Sequence, residues 1–162
     1  MEELNIKVGE LSMRFTSMRD YQTVLGLNQE LINTIVDTPA IIYKINVEKT
    51  PTNLYGEGTR KTWYRGVAVP CLLRRDDARA VETVDVIDIE QKAEFHFLRN
   101  ELNQRNIYPD SGDVIEYDAQ YYEIEVTSEV QQWAGQVQYN HSIKCFTHLM
   151  RKAPTQLEKP IQ

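Results

Sequence analysis

The stretch from Gly112 to Val126 constrains the fold of this chain most strongly, because apolar and polar residues alternate along it in two runs. A short polar turn separates the runs, which is the pattern of a β-hairpin. The alternation gives the second arm two unlike faces. Its apolar face, which we expect to point inward, carries Tyr122, Ile124 and Val126, and its wet face carries Tyr121, Glu123 and Glu125. Such a hairpin has to pack its apolar face against further strands.

Further strands are predicted along the rest of the chain, by β-rich composition or by alternation with a period of two. They cover residues 40–47, 63–73, 84–89, 93–98 and 142–149. Residues 74–80 form a charged break, and residues 99–106 favour one helical turn. The apolar residues of the last segment would also suit a helix face, but we favour a strand. Strands at short intervals, joined mostly by turns, predict a mainly β fold, a small antiparallel β-barrel or sandwich with long loops.

One or two short helices are predicted before the first strand. Val8, Leu11, Phe15 and Met18 have the three-and-four spacing of one helix face. Asn28 is a candidate N-cap for a second helix, which has to end before Pro39 because the residue before a proline avoids the helical conformation. We therefore divide the chain into an N-terminal helical arm at residues 1–38, a β-barrel-like domain at 39–150 and an extended tail at 151–162.

Composition narrows the class of protein. The chain has 162 residues, a net charge of -6 and two cysteines, which describes an ordinary globular domain from a reducing compartment. No apolar run approaches the roughly 20 residues of a membrane span, so we expect no membrane partner. The excess of acids disfavours a protein that grips nucleic acid, since that affinity comes largely from lysine and arginine.

Charge is unevenly distributed along the sequence. Residues 57–75 contain five basic side chains and one acid, whereas residues 76–129 contain fifteen acids and four bases. A basic segment followed by an acidic body suggests head-to-tail packing between copies, although solvated faces explain the same pattern.

No complete catalytic motif is present. The segment around Gly56 and Gly58 lacks the glycine spacing of a phosphate-binding loop. Asp110 with Glu123 and Glu125 resembles a metal-dependent nuclease site without its lysine. His141, Cys145 and His148 would share a helix face but separate on a strand, and a fourth zinc ligand has no obvious source. We therefore predict no enzyme activity, no catalytic or metal-binding residues and no cofactor.

A family resemblance emerges when the short motifs are taken in order. They include Thr50–Glu57, Trp63-Tyr64, Val67–Leu72, Phe95–Arg99, Tyr108-Pro109, Gly112–Ile115, Tyr121–Ile124, Gln132-Trp133 and Ser142-Ile143. Over residues 35–150 this order resembles the neck, or head-to-tail connector, proteins of T-even-like contractile-tailed bacteriophages. The resemblance implies a virion structural protein, in which residues 39–150 are the connector domain.

The resemblance also implies partners and a place in the particle. The chain would form a ring of six or twelve copies in the virion neck, assembled in the host cytoplasm, and join portal or adaptor proteins to tail-terminator proteins. Double-stranded DNA would pass through without specific recognition, and an acidic wall suits this because it repels phosphates. The alternatives are a tail-tube or baseplate adaptor and, less favoured, a metal-dependent head-completion nuclease.

The loop before residue 63 is the predicted site of subunit or ring contacts. It is long for a connection inside a compact barrel and combines aromatic residues with basic ones, the residue types that anchor interfaces. The predicted interface residues are Tyr55, Gly56, Glu57, Gly58, Arg60, Lys61 and Trp63. The hairpin is expected to contribute Gly112, Asp113, Tyr121, Tyr122 and Glu123, and a later loop Gln132 and Trp133.

Overall fold

The structure is a computed structural model that describes residues 17–50, 61–83, 86–132, 139–150 and 157. It has two α-helices, α1 (Met18–Glu30) and α2 (Arg99–Gln104). Its strands are β1 (Pro39–Tyr43), β2 (Val67–Arg75), β3 (Arg79–Thr83), β4 (Val86–Glu90), β5 (Lys92–Leu98), β6 (Val114–Tyr117), β7 (Gln120–Gln132) and β8 (Asn140–Leu149). The mainly β prediction is confirmed.

Six of the strands close an antiparallel barrel. Their order is β1-β2-β5-β8-β7-β6, and β6 pairs back with β1. Because the barrel is closed, each of the six strands has a hydrogen-bonded neighbour on both sides. The structure therefore decides for the barrel over the sandwich.

Aromatic and aliphatic side chains fill the barrel interior. Phe95 and Phe97, which flank His96 in the sequence, are both fully buried and stack with ring centroids 6.3 Å apart. Tyr122 meets Phe95 edge to face at 5.5 Å. Ile42, Ile115 and Ile143 complete the same core cluster. A barrel of this size is a packed core rather than a pore.

The hairpin predicted between Gly112 and Val126 is confirmed as β6 and β7. Asp118 and Ala119 form its turn with φ of 51° and 58°, the conformation that two-residue hairpin turns favour. Tyr122 and Ile124 are buried as expected. The expectation for Val126 is wrong, because a register shift against β8 between Ile124 and Val126 reverses the alternation and leaves Val126 57% exposed.

Replacing Ile124 with alanine tests this assignment of faces. Ile124 is 1% exposed, so Ile124→Ala should lower the free energy of unfolding by about 2–5 kcal/mol, measured by urea denaturation. The matched control is Val126→Ala, which should change stability by less than about 1 kcal/mol because its side chain is already in water. Equal losses from the two substitutions would contradict the register shift.

A two-stranded ribbon extends from the barrel where a charged break and one strand were predicted. Arg74 and Arg75 belong to β2, where they pair with Glu94 and Ala93 of β5. Beyond this point β3 and β4 pair with each other and form a separate two-stranded sheet. The predicted break at 74–80 is therefore too long. Charged residues such as Arg74 and Arg75 can belong to a strand when their side chains face water.

The last segment is a strand, and the helix alternative is wrong. In β8, Ile143, Cys145 and Thr147 are buried at every second position, which is the period of a strand. The helical turn after β5 is confirmed as α2. Among the described residues, no helix is long and apolar enough to cross a membrane.

The N-terminal helix differs from the prediction in its start. Ser17 has extended backbone angles and forms a capping box with Asp20, so a helix face running continuously through Met18 is wrong. Val8, Leu11 and Phe15 lie outside the described residues. Asn28 is inside α1 and caps nothing, because the capping box already starts the helix eleven residues earlier.

The helix continues into a π-helical segment (Leu31–Val36) and ends before Pro39, as predicted. The amide of Asp37 donates to the carbonyl of Ile32 at 3.1 Å, and Asp37 itself takes a left-handed φ of 41°. This wider turn directs the chain into β1.

A buried carboxylate on α2 attaches the N-terminal helix to the barrel. Glu101 accepts hydrogen bonds from Asn33 at 2.8 Å and Gln29 at 3.0 Å, and it pairs with Arg105. Burial alone would raise the pKa of Glu101, but the hydrogen bonds from Asn33 and Arg105 outweigh it and lower that pKa below its ordinary 4.5. Ile32, buried against the barrel, supplies the apolar part of the attachment.

The stability contributed by Glu101 should therefore depend on pH. Because its pKa is lower in the folded state than in the unfolded state, the contribution is present above about pH 4.5 and is lost as the pH falls through the folded pKa. We expect Glu101→Gln to destabilise the protein at pH 7, and the difference from wild type to shrink towards pH 3 in urea unfolding. A difference that stays constant over this range would contradict the assignment, since all other carboxylates are common to both proteins.

Candidate functional site

A cluster of polar side chains lies at the start of the hairpin, around the predicted site residue Asp113. The Asp113 carboxylate is fully buried and accepts from the backbone amides of Ile45, at 2.9 Å, and Asp110, at 2.7 Å. The Lys44 ammonium lies 2.8 Å from the same carboxylate and 2.6 Å from Asp110. Asp113 thereby joins the chain after β1 to the chain before β6.

Lys44 completes the charge balance of this cluster. Its ammonium group also donates to the carbonyl of Tyr108 at 2.7 Å. Burial opposes the positive charge, but the hydrogen bonds that Lys44 donates to Asp110 and Asp113 outweigh it and raise the pKa of Lys44. Lys44 was not predicted as a site residue. It lies inside a predicted strand, and no local pattern indicates that it pairs with Asp110 and Asp113, which are 66 and 69 residues away in the sequence.

Removing the Asp113 carboxylate should destabilise the fold. In Asp113→Ala the partly buried amides of Ile45 and Asp110 lose their acceptor, and Lys44 loses a buried partner, so we expect a loss of about 2–4 kcal/mol in the free energy of unfolding. Asp113→Asn keeps one acceptor oxygen and should lose less. Thermal and urea denaturation measure both variants. If Asp113→Ala is as stable as wild type, the cluster does not hold these segments together.

A stem of hydrogen-bonded residues flanks the predicted interface loop. Ile45 and Trp63 form an antiparallel bridge, the amide of Asn46 donates to the carbonyl of Thr62 at 2.8 Å, and the hydroxyl of Thr50 donates to the carbonyl of Asn46 at 2.6 Å. These contacts hold Thr50 and Lys61, the two ends of the described chain on either side of residues 51–60, on one side of the barrel. The stem fixes where the loop begins and ends.

The stem also needs a glycine where it returns to the barrel. Gly66 is buried against β1, and a Cβ atom there would lie 2.5 Å from Ile41 and 2.6 Å from the ring of Tyr43. No larger residue fits without displacing these side chains. The hydroxyl of Tyr43, beneath this contact, donates to Glu116 at 2.6 Å, and burial raises the pKa of Tyr43 further.

Two of the seven predicted loop residues are described. The Lys61 ammonium pairs with Glu123 of the hairpin at 2.5 Å, so one basic group of the loop contacts the acidic strand of its own chain. Trp63 is half-buried in the stem, beside the exposed Tyr64. The remaining predicted residues, Tyr55, Gly56, Glu57, Gly58 and Arg60, lie outside the described residues, and their interface role stays a prediction.

The other predicted contact residues are divided between the core, the turn before β6 and the outer face. Tyr122 belongs to the core, and its hydroxyl donates to Gln120 at 2.7 Å. Gly112 has φ of 88°, which requires glycine, and its amide donates to the carbonyl of Ile124. Tyr121 and Glu123 are half-buried on the outer face. Gln132 ends β7, and Trp133 lies outside the described residues.

Several of the described groups that a catalytic site could use are engaged in the fold. Within the described ranges, no three or more histidine, cysteine, aspartate or glutamate side chains are grouped to hold a metal. Burial raises the pKa of Cys71 and Cys145 to about 12, which keeps both thiols protonated. Because β8 is a strand, Cys145 points into the core, whereas His148 lies 3.0 Å from Glu125 at the surface.

The described surface carries a charged cleft of about 420 Å³ at the base of the β3–β4 ribbon. Asp76, Asp77, Arg79, Glu90 and Lys92 line it. Three acids and two bases line this cleft, so it presents mixed charge rather than a concentrated anionic or cationic site.

Comparison with known proteins gives similarities of structure and none of sequence. No protein-family model matches the chain, and no curated protein matches its sequence. The fold is similar to that of a chain in the virion of a native gene transfer agent particle, with a TM-score of 0.50 and 11% sequence identity over 70% of this chain and 94% of the other. At this identity the similarity is one of fold, the small antiparallel β-barrel.

Proposed function

We propose that this chain is a structural protein of a contractile-tailed phage virion and forms a ring in the neck, between the portal and the tail. The observation that carries the proposal is the closed, side-chain-filled barrel, whose fold resembles that of a chain in a gene transfer agent virion. The order of short motifs over residues 35–150 supports the neck position. A packed barrel is a rigid unit that copies of the chain can repeat around an axis.

The use of the polar groups supports a structural role. Asp110 and Glu123, the acids of the nuclease alternative, pair with Lys44 and Lys61. Further ion pairs hold Glu94 to Lys144 and Arg99 to Glu129. Groups that stabilise the fold in this way are poorly placed to bind a catalytic metal, because a cation would have to displace an ammonium group from each carboxylate.

The stem of the loop supports a contact role for residues 51–63. Contacts between Ile45 and Trp63 and between Thr50 and Thr62 hold the two ends of this segment together, and we infer that Tyr55 and Arg60, within it, contact a neighbouring subunit or ring. The acidic remainder of the surface suits a channel wall, because like charges repel DNA phosphates and let the duplex slide.

The location of the chain in the particle tests the neck proposal. We expect particles assembled without this chain to separate into DNA-filled heads and free tails, and a tagged copy supplied in trans to restore joined particles with the tag at the neck. Electron microscopy of labelled particles measures both. A tag at the baseplate or along the tube would favour an adaptor protein instead, and complete particles without the chain would contradict a structural role at the neck.

The nuclease alternative has its own test. Purified protein with Mg²⁺ or Mn²⁺ should leave single- and double-stranded DNA intact on a gel. Cleavage that is lost in Glu123→Gln but kept in the surface control Glu129→Gln would overturn the proposal in favour of an enzyme.

A further inference from the structure

One side of the N-terminal helix is apolar and uncovered in the described chain. Leu27 is 60% exposed, Leu31 41% and Ile35 72%. These residues follow one another at intervals of four, so they lie along one side of α1 and the π-helical segment. We call Leu27, Leu31 and Ile35 the outer stripe. Ile32, the residue next to Leu31, is buried against the barrel, and Leu31 also borders the cleft between this helix and the barrel strands.

The helix that carries the outer stripe depends on contacts beyond its own turns. α1, described in full, buries none of its side chains, and a helix of 13 residues is marginal in water by itself. The sequence between Asp20 and Glu30 contains no charged residue. A partner that docked there would bury apolar surface without removing a charge from water.

The sequence just before α1 has a complementary apolar face. Leu4, Val8, Leu11 and Phe15 are spaced by four, three and four residues, which places them on one side of a helix. Packing of one apolar helix face against another is the usual way in which two such stripes are covered.

The capping box limits how much of the outer stripe a helix formed by this segment could cover in its own chain. Ser17 is extended and starts α1, so a helix that turned back before it would run antiparallel to α1. With equal rise in both helices, a short turn over residues 15–17 would place Val8 level with about Val24, and Leu4 with about Asn28. Leu31 and Ile35 would stay uncovered.

We propose that the outer stripe receives residues 4–15 of a second copy of this chain, docked as an amphipathic helix. This inference rests on the proposed ring, because each copy then gives one segment and receives one. In such a heterologous contact, one surface of each copy binds a different surface of the next copy. The copies close into a ring when a whole number of equal rotations between neighbours makes a full turn. A segment from a neighbour is not tethered at this copy's Ser17, and it can therefore lie along the whole stripe.

Three variants of the full chain test the docking. We expect removal of residues 1–16, which keeps the Ser17 cap, and the triple substitution Leu27→Ser, Leu31→Ser, Ile35→Ser each to convert the wild-type oligomer to monomer, with a loss of helical circular dichroism signal and with cooperative thermal unfolding of the barrel retained. The matched control is Val47→Ser with Val126→Ser, two exposed apolar residues outside the stripe, which should assemble like wild type. Light scattering after size-exclusion chromatography gives the masses. A truncated chain that keeps the wild-type mass would overturn the proposal.

A peptide of residues 1–16 and a cross-link distinguish a second copy from the same chain. The peptide should bind the truncated protein saturably and fail to bind the triple variant. Mixing Val8→Cys chains with Leu31→Cys chains should give a cross-linked dimer under oxidation. A cross-link that forms only when both cysteines are in one chain would show that the segment covers its own stripe, and would refute docking between copies.

The two proposals can fail separately. Assembly that requires the outer stripe, in a protein that labelling finds away from the neck, would keep this inference and refute the neck position. A neck protein whose oligomer is insensitive to removal of residues 1–16 would do the reverse.

Discussion

The pairing of the short strand β1 with both β2 and β6 is the interaction on which the rest of the structure depends. β1 forms four paired positions with β2 and three with β6, and these close the sheet into a barrel. The stem packs on β1 through Gly66, the Asp113 carboxylate is bound just after it, and the π-helical segment ends just before it. A shift in the position of β1, which has five residues, would therefore disturb the helix, the loop and the hairpin together.

Folding brings together basic and acidic residues that are far apart in the sequence. A basic segment before an acidic body suggested packing between copies, and that packing stays a prediction. Several of these charges are already paired inside one chain, as in Lys61 with Glu123 and Arg74 with Glu94. A linear charge map reports neighbours along the chain, whereas a closed barrel brings strands distant in sequence side by side.

The strands could be predicted from the sequence because alternation is a local property. The hairpin and the strands at β5 and β8 all followed from it. The position of Val126 could not, because a bulge is set by the pairing between two strands and leaves no mark on the period of either one. The start of α1 was missed for a different reason. Ser17 and Asp20 carry a capping signal, but the apolar spacing from Val8 to Met18 favoured a helix across the same residues.

The candidate site was predictable only in part. Asp113 was recognised from its place beside Gly112 in the hairpin motif, whereas its partners Lys44 and Ile45 come from the other side of the closing strand. Contacts of this kind have no sequence signature, since the partners are brought together only by barrel closure. The loop residues were selected by type and length, and the structure adds the stem that fixes where they start.

Barrel closure also bears on whether copies of this chain can associate through their strand edges. In the closed order each of the six barrel strands has a hydrogen-bonded neighbour on both sides, so edge-to-edge association of the kind that leads to aggregates has less to start from. The β3–β4 ribbon is the exception within the described strands, because each of its strands has one partner. Between residues 79 and 90 the sequence has four acids and one base. Two such ribbons repel each other, and this protects the edges that closure does not cover.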